Sequence, residues 1–247
     1  MNLYLFAAKV LKPMVTYVAV LKIKRLLKNL SDDPKEILDF AYRFSHKFCV
    51  AGKCIEITIR PVQVREELLR FAELIDNIKP TTVMEIGTAM GGTLFILVRV
   101  SSPKSLIISV DLPGGIFGGG YSWYRKALYK TFAKPGQRIY LLRKDSHDLR
   151  TLNEVTKILQ GKKLDLLFID GDHTYEGVRK DFEMYSPLVR RGGIIAFHDI
   201  VPHDRVHDPH GVVGVPRFWN EIKHSYRYLE IVKDWGQGWA GIGVLYV

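Results

Sequence analysis

From residue 81 onward, short unbroken apolar runs alternate with segments whose apolar positions recur at helical spacing. The runs are "TVMEIG", "SLIISVD", "RIYLLRKD", "LDLLFID" and "GGIIAFHD". The helical segments are one beginning at Gly91, then "WYRKALYKTFA", "LNEVTKILQ", "EGVRKDFEMYSPLV" and "PRFWNEIKHS". A strand that is apolar at nearly every position is covered on both faces, as parallel strands joined by crossover helices are. The pattern predicts a doubly wound, Rossmann-like α/β sheet, mostly parallel. Two further strand-like runs, "YLEIVKDW" and "AGIGVLYV", joined by "GQGW", break the alternation and predict a closing antiparallel hairpin.

Upstream the pattern is helical. A start signal at residues 31–34 opens a helix over "SDDPKEILDFAYRFSHKF", and another fits "VQVREELLRFAELIDNI". This divides the chain into a helical arm and cap, residues 1–79, and an α/β domain, residues 80–247. The arm carries Lys9, Lys12, Lys22, Lys24, Arg25 and Lys28 and no acid within residues 1–30. It has no apolar run of the roughly 18–20 residues that span a bilayer, and no cleavage signal, so a cytoplasmic protein is expected. The arm reads as two helices broken near Pro13 that pack on the domain or between subunits of a homo-oligomer. Its competing reading is a cationic, apolar helix in peripheral contact with a membrane.

With 247 residues, 47% hydrophobic and 25% charged, the chain can bury one large core. The net charge of +10 permits attraction to nucleic acid or anionic membranes, but much of the excess belongs to the arm. Cys49 and Cys54, in "CVAGKC", have no second pair to complete a zinc site, and two reduced thiols are expected.

The chemistry collects at strand ends. "VMEIGTAMGG" closes the first strand with Glu85, Gly87, Thr88, Gly91 and Gly92, where glycines let the backbone approach a ligand at a helix N-terminus. Its spacing differs from the dinucleotide GxGxxG fingerprint. Asp111 ends the second strand, at the distance where an acid accepts ribose hydroxyls, and Asp145 and Ser146 follow the third. The fourth strand runs into Asp170, Asp172 and His173, and the fifth into His198 and Asp199. Open α/β sheets bind ligands outside these carboxyl ends. "LPGGIFGGGYSW" reads as a cover with Tyr121 and Trp123 as apolar contacts. "HDIVPHDRVHDPHG" reads as a substrate-facing loop in preference to a second metal site.

Acids and glycines terminating successive strands resemble the class I S-adenosylmethionine-dependent methyltransferases over roughly residues 80–247. "FIDGDHTYEGVRKDFEMYSPLVRRGGIIAFHDI" resembles, more narrowly, the metal-dependent small-molecule O-methyltransferases of the cephalosporin-biosynthesis and macrolide-sugar type. The resemblance implies S-adenosylmethionine bordered by Glu85, Gly87, Thr88 and Gly91, with Asp111 on the ribose and Asp145 and Ser146 by the adenine. It implies a divalent cation, Mg²⁺ or Mn²⁺, on Asp170 and Asp199. His198 stands where relatives often carry a carboxylate, so it is expected as a third ligand or as a base. His173 is the first candidate for the base, and Asp172 for completing the metal shell.

The function implied is methyl transfer to a hydroxyl of a small molecule, a sugar or natural product. One alternative is an RNA methyltransferase, prompted by charge; but Asp170-Gly171-Asp172-His173 is not the Asn/Asp-Pro-Pro-aromatic stretch of amine-directed nucleic-acid enzymes, so a nucleic-acid partner is not expected. The other is a non-catalytic, membrane-associated cofactor-binding module.

Overall fold

The computed structural model describes residues 3–50, 52–115, 117 and 120–247, with side chains from residue 11 onward. Nine strands and eight α-helices are assigned among them. The main sheet contains β3 (Thr82–Ile86), β4 (Leu106–Val110), β5 (Arg138–Leu142), β6 (Leu164–Ile169), β7 (Val189–His198), β8 (Arg227–Ile231) and β9 (Ile242–Tyr246). Their order is β5-β4-β3-β6-β7-β9-β8. β3 to β7 pair in parallel, while β9 enters antiparallel between β7 and β8. The mostly parallel Rossmann-like sheet and its antiparallel hairpin are as the hydrophobic pattern predicts.

Alternate residues of each strand feed two cores. Val83, Ile107, Phe168 and Val244 face one side, under α3 (Arg65–Ile78), α4 (Gly92–Val100) and α5 (Arg125–Lys130). Met84, Ile108, Leu167 and Leu245 face the other, under α6 (Leu149–Leu159), α7 (Tyr175–Tyr185) and α8 (Val215–Ile222). The cap shares the first core: Phe71 of α3 packs on Phe168 of β6, with ring centroids 5.4 Å apart.

The N-terminal region corrects three expectations. α1 (Leu3–Leu26) runs unbroken through Pro13. A proline removes one intrahelical bond, but Val15, Ala19, Val20 and Ile23 bury against the body and hold the turns that follow it. The helix expected over residues 31–48 stops early. α2 (Pro34–Arg43) starts where the Asp33 carboxylate accepts from the Glu36 N–H at 2.9 Å, and Phe44 then turns extended. A hairpin follows, β1 (Ser45–Val50) and β2 (Lys53–Thr58). It sets Cys49 opposite Cys54, and the two form a disulfide in place of the reduced thiols expected. Among the described residues no helix is long and apolar enough to cross a membrane.

Candidate active site

Five parallel strands deliver Gly87, Asp111, Asp145, Asp170 and Asp199 to one edge of the sheet. The first turn tolerates only glycine. Gly87 has φ 96°, and an added Cβ would lie 1.9 Å from the carbonyl oxygen of Asp170 on the neighbouring strand's end. Gly91 caps α4 at φ 83° with the Tyr129 ring against its Cα, 2.6 Å from where a Cβ would stand.

A cavity of about 300 Å³ opens along this edge, lined by Gly87, Asp111, Asp145, Ser146, Asp170 and His173 among others. Asp111 is buried in its wall and accepts from the Ala89 N–H at 3.1 Å. Burial pushes its carboxyl up to about 6, partly opposed by the backbone N–H groups of Ala89, Tyr121, Gly120 and Thr88. Asp145 accepts from the His147 N–H at 2.8 Å, and the Ser146 carbonyl accepts from the Tyr185 hydroxyl at 2.7 Å. Phe117 also lines the cavity, its ring 4.8 Å from that of His173.

Beyond Asp170 the cavity meets a cluster of carboxylates and imidazoles. His173 Nδ1 lies 2.6 Å from Asp199, and His203 Nε2 lies 3.0 Å from the other oxygen of that carboxylate. His198 Nδ1 bridges the two acids, 3.1 Å from Asp170 and 3.3 Å from Asp199. Burial alone would raise Asp199, yet His198, His173 and His203 hold its carboxyl well below the usual range. For His198 burial acts downward, but Asp199 and Asp170 carry the imidazole well above its ordinary value. Two donors complete the frame: Gln63, ahead of α3, donates to Asp170 at 3.0 Å, and the Ala240 N–H donates to Asp199 at 3.1 Å.

The backbone here is held in costly conformations. Ala89, Asp199 and Ala240 have φ of 43°, 64° and 63°, the left-handed region that L side chains rarely adopt. Such residues concentrate where the surroundings fix a functional geometry. Each of the three is tied to a site carboxylate or carries one.

The donor set fits a divalent cation. Asp170, His173 and Asp199 each offer a ligand atom, all within 4.8 Å of one another, and two carboxylates with one imidazole suit Mn²⁺ and tolerate Mg²⁺. The imidazole in this set is His173. His198, expected as ligand or base, lies beneath the acids with its Nε2 buried and unpartnered. Asp172, the other candidate for the shell, instead accepts from the Thr174 N–H at 2.9 Å, which shapes the turn into α7.

Glu85, Thr88 and Gly91 do not line the main cavity. Glu85 is fully buried below it and accepts from the Ser109 hydroxyl at 3.0 Å, while Thr88 bonds the same hydroxyl. They brace the first turn. In the expected cover, Tyr121 is buried against Tyr129 and Trp123 is exposed; residues 116, 118 and 119 of that stretch lie outside the described residues. In the histidine-rich loop, His207 pairs with Asp204 at 2.8 Å, and Asp208 accepts from the Val212 and Val213 N–H groups.

Gln63 and His147 escaped the sequence reading. Nothing near Gln63 in the chain marks it, since its partner lies far along the sequence on another strand. His147 stood in "LLRKDSHD", and its Nε2 sits 3.2 Å from the fully buried Asp181 of α7; that carboxylate is the chief cause of the imidazole's raised pKa.

Comparisons with known proteins agree with this geometry. Residues 84–200 match a family model described as a methyltransferase domain. An uncharacterized protein of Acanthamoeba polyphaga mimivirus is 33% identical over 118 residues, 48% of this chain and 51% of its own length. A probable caffeoyl-CoA O-methyltransferase of Dictyostelium discoideum is 26% identical over 148 residues, 60% of each chain. The chain thus spans less than two thirds of the length of these curated relatives. Among solved structures, an O-methyltransferase from Bacillus cereus in complex with S-adenosylhomocysteine superposes with TM-score 0.55 at 17% identity, covering 97% of this chain and 99% of its own. The O-methyltransferase TomG from Streptomyces achromogenes, in complex with S-adenosylmethionine, gives 0.52 at 17% identity over 92% and 96%. The resemblance drawn from the strand-end motifs is borne out: residues 84–200 match the methyltransferase-domain model, and the chain has the class I fold of these O-methyltransferase structures.

Proposed function

We propose that this chain is an S-adenosylmethionine-dependent O-methyltransferase acting on a hydroxyl of a small molecule, a sugar or natural product, with help from a divalent cation. One observation carries the reading. A single cavity joins a buried acid suited to ribose hydroxyls, Asp111, to a carboxylate and imidazole cluster suited to a metal, Asp170 with His173. Relatives named O-methyltransferases support the choice of acceptor atom.

In this reading Asp111 accepts from the ribose, and Asp145 and Ser146 border the adenine. The turn at Gly87 brings backbone close to the methionine end. Asp170, His173 and Asp199 hold the cation, which when bound stabilises the negative charge that a hydroxyl oxygen gains as it is methylated. Gln63 and His198 orient the two carboxylates from behind, and His203 fixes the second oxygen of Asp199. The remaining contribution is alignment of acceptor and methyl group within the cavity.

The test uses the full chain, labelled S-adenosylmethionine and a panel of hydroxylated acceptors, with chelator-treated protein and with added Mg²⁺ or Mn²⁺. We expect methylated product only with metal, and its loss in Asp170→Asn and Asp199→Asn. Full activity in verified metal-free protein would overturn the cation's part and leave His173, oriented by Asp199, as a general base. Failure to bind S-adenosylmethionine at all would overturn the whole assignment.

A further inference from the structure

α1 buries only one of its faces. Val15, Ala19, Val20 and Ile23 pack on the body, whereas Met14, Tyr17, Val18 and Leu21 are 62%, 64%, 47% and 52% exposed. At 3.6 residues per turn those four fall on one stripe, opposite the buried set. Exposed singly, such residues need no explanation; as a continuous stripe on one helix they do. Lys22 and Lys24 flank the stripe, and Arg25 and Lys28 continue it toward the helix end, all exposed.

We propose that this face docks on an anionic lipid surface. Charge decides between lipid and a second copy of the chain. Residues 1–30 contain no acid, so a second copy of α1 offers Lys24, Arg25 and Lys28 no counter-charge, and a parallel pairing sets them against their own counterparts. Anionic headgroups neutralise them. The long cationic side chains extend along the helix to the headgroups while the apolar stripe enters the acyl boundary, which is how helices lie in the plane of a bilayer. No part of the helix has to leave the body, since the stripe is already exposed. The elements that α1 packs on, or their near neighbours in sequence, also expose apolar side chains. α1 packs on the β1–β2 hairpin, where Phe48 and Val50 are exposed, and on α5, two residues after exposed Trp123. An indole with one apolar and one polar edge suits the membrane interface.

The experiment is flotation of the full chain with phosphatidylcholine vesicles, with and without phosphatidylserine, beside light scattering of the free protein. Two variants act on the exposed face alone: Lys24→Glu/Arg25→Glu/Lys28→Glu and Tyr17→Ser/Leu21→Ser, with thermal melts to confirm folding. We expect flotation only with phosphatidylserine vesicles and release by salt. The triple charge reversal should weaken partitioning by on the order of a hundredfold, and the apolar variant should abolish it. Equal flotation on pure phosphatidylcholine, no flotation, or flotation indifferent to both variants overturns the proposal. A dimer in light scattering that Tyr17→Ser/Leu21→Ser dissociates, without vesicle binding, assigns the face to a second copy instead. None of these outcomes depends on catalysis.

Discussion

Asp111 carries two opposite demands, and a single substitution separates them. Its carboxyl is pushed up to about 6 by burial, from an ordinary value of 3.8. That rise of roughly two pH units corresponds to about 3 kcal/mol between the two protonation states. Below about pH 4 both folded and unfolded chains hold the proton, and the full contribution to stability is present. As pH rises toward 6 the unfolded chain ionises first, and that stability is lost as pH passes the folded value. At neutral pH, then, the cofactor-free fold carries an ionised buried acid at its own expense. Asp111→Asn removes this cost while its side-chain carbonyl still accepts from Ala89. The cofactor-free variant should gain up to about 3 kcal/mol at neutral pH, at about 2–4 °C of melting temperature per kcal/mol for a chain of this size.

Cofactor binding should move the other way. A ribose held by a carboxylate loses roughly 1.5–3 kcal/mol when the charge is removed, about a 10- to 150-fold weaker Kd. In the unsubstituted protein, ionisation near pH 6 should make affinity for S-adenosylhomocysteine about tenfold weaker at pH 5 than at pH 7, with little further gain above. The Asn variant should lack that step. Calorimetry across this range, with scanning calorimetry of the cofactor-free proteins, reads both effects. A flat affinity profile in the unsubstituted protein, or an Asn variant that binds as tightly as its parent, would refute the assignment of Asp111 to the ribose. A variant less stable than its parent at neutral pH would refute the burial argument.

Gly87→Ala places a methyl group 1.9 Å from the Asp170 carbonyl at φ 96°; it should destabilise the fold by roughly 3 kcal/mol or more and abolish cofactor binding, as chemical denaturation and calorimetry would show. Gln63→Leu removes the 3.0 Å donor to Asp170 without removing a ligand, so metal affinity measured by titration should fall roughly 10- to 100-fold while the melting temperature changes little. Reducing the Cys49–Cys54 disulfide opens a short loop and should lower stability by about 2 kcal/mol, and thiol titration of unreduced protein should find no free cysteine.

The α/β sheet was legible because burial on both faces leaves a strong signature, the unbroken apolar run. The strand-end acids were legible for the same reason: Asp111, Asp170 and Asp199 interrupt such runs abruptly. The β1–β2 hairpin was not, since "SHKFCV" continues a helical pattern whose end depends on Phe44 turning extended. With the hairpin went the disulfide, because only strand register brings Cys49 and Cys54 opposite each other. At the site, residue types were readable and their roles were not. Asp172 and His173 are neighbours in sequence, yet the first shapes a turn and the second enters the metal-capable cluster. His198 points beneath the acids, which follows from strand alternation at the end of β7 together with the left-handed turn at Asp199. Gln63 and Ala240 reach the cluster from opposite ends of the chain, with no local pattern to announce them.

The position of β9 bears on how such a chain is made. It is the last strand in sequence but lies inside the sheet, between β7 and β8. The segment leading into it supplies the Ala240 N–H to Asp199, and the buried Glu67 of α3 accepts from the N–H groups of Lys233 and Gly241 at 2.9 Å each. While residues 233–246 are still within the ribosome, the emerged chain has every strand-end acid but leaves the edge of β7 bare and Asp199 without its backbone donor. Completion of the pocket therefore waits for residues 233–246 to emerge. Until then the exposed edge of β7 invites pairing with another nascent chain, and a translational pause shortly before residue 240 would prolong that hazard.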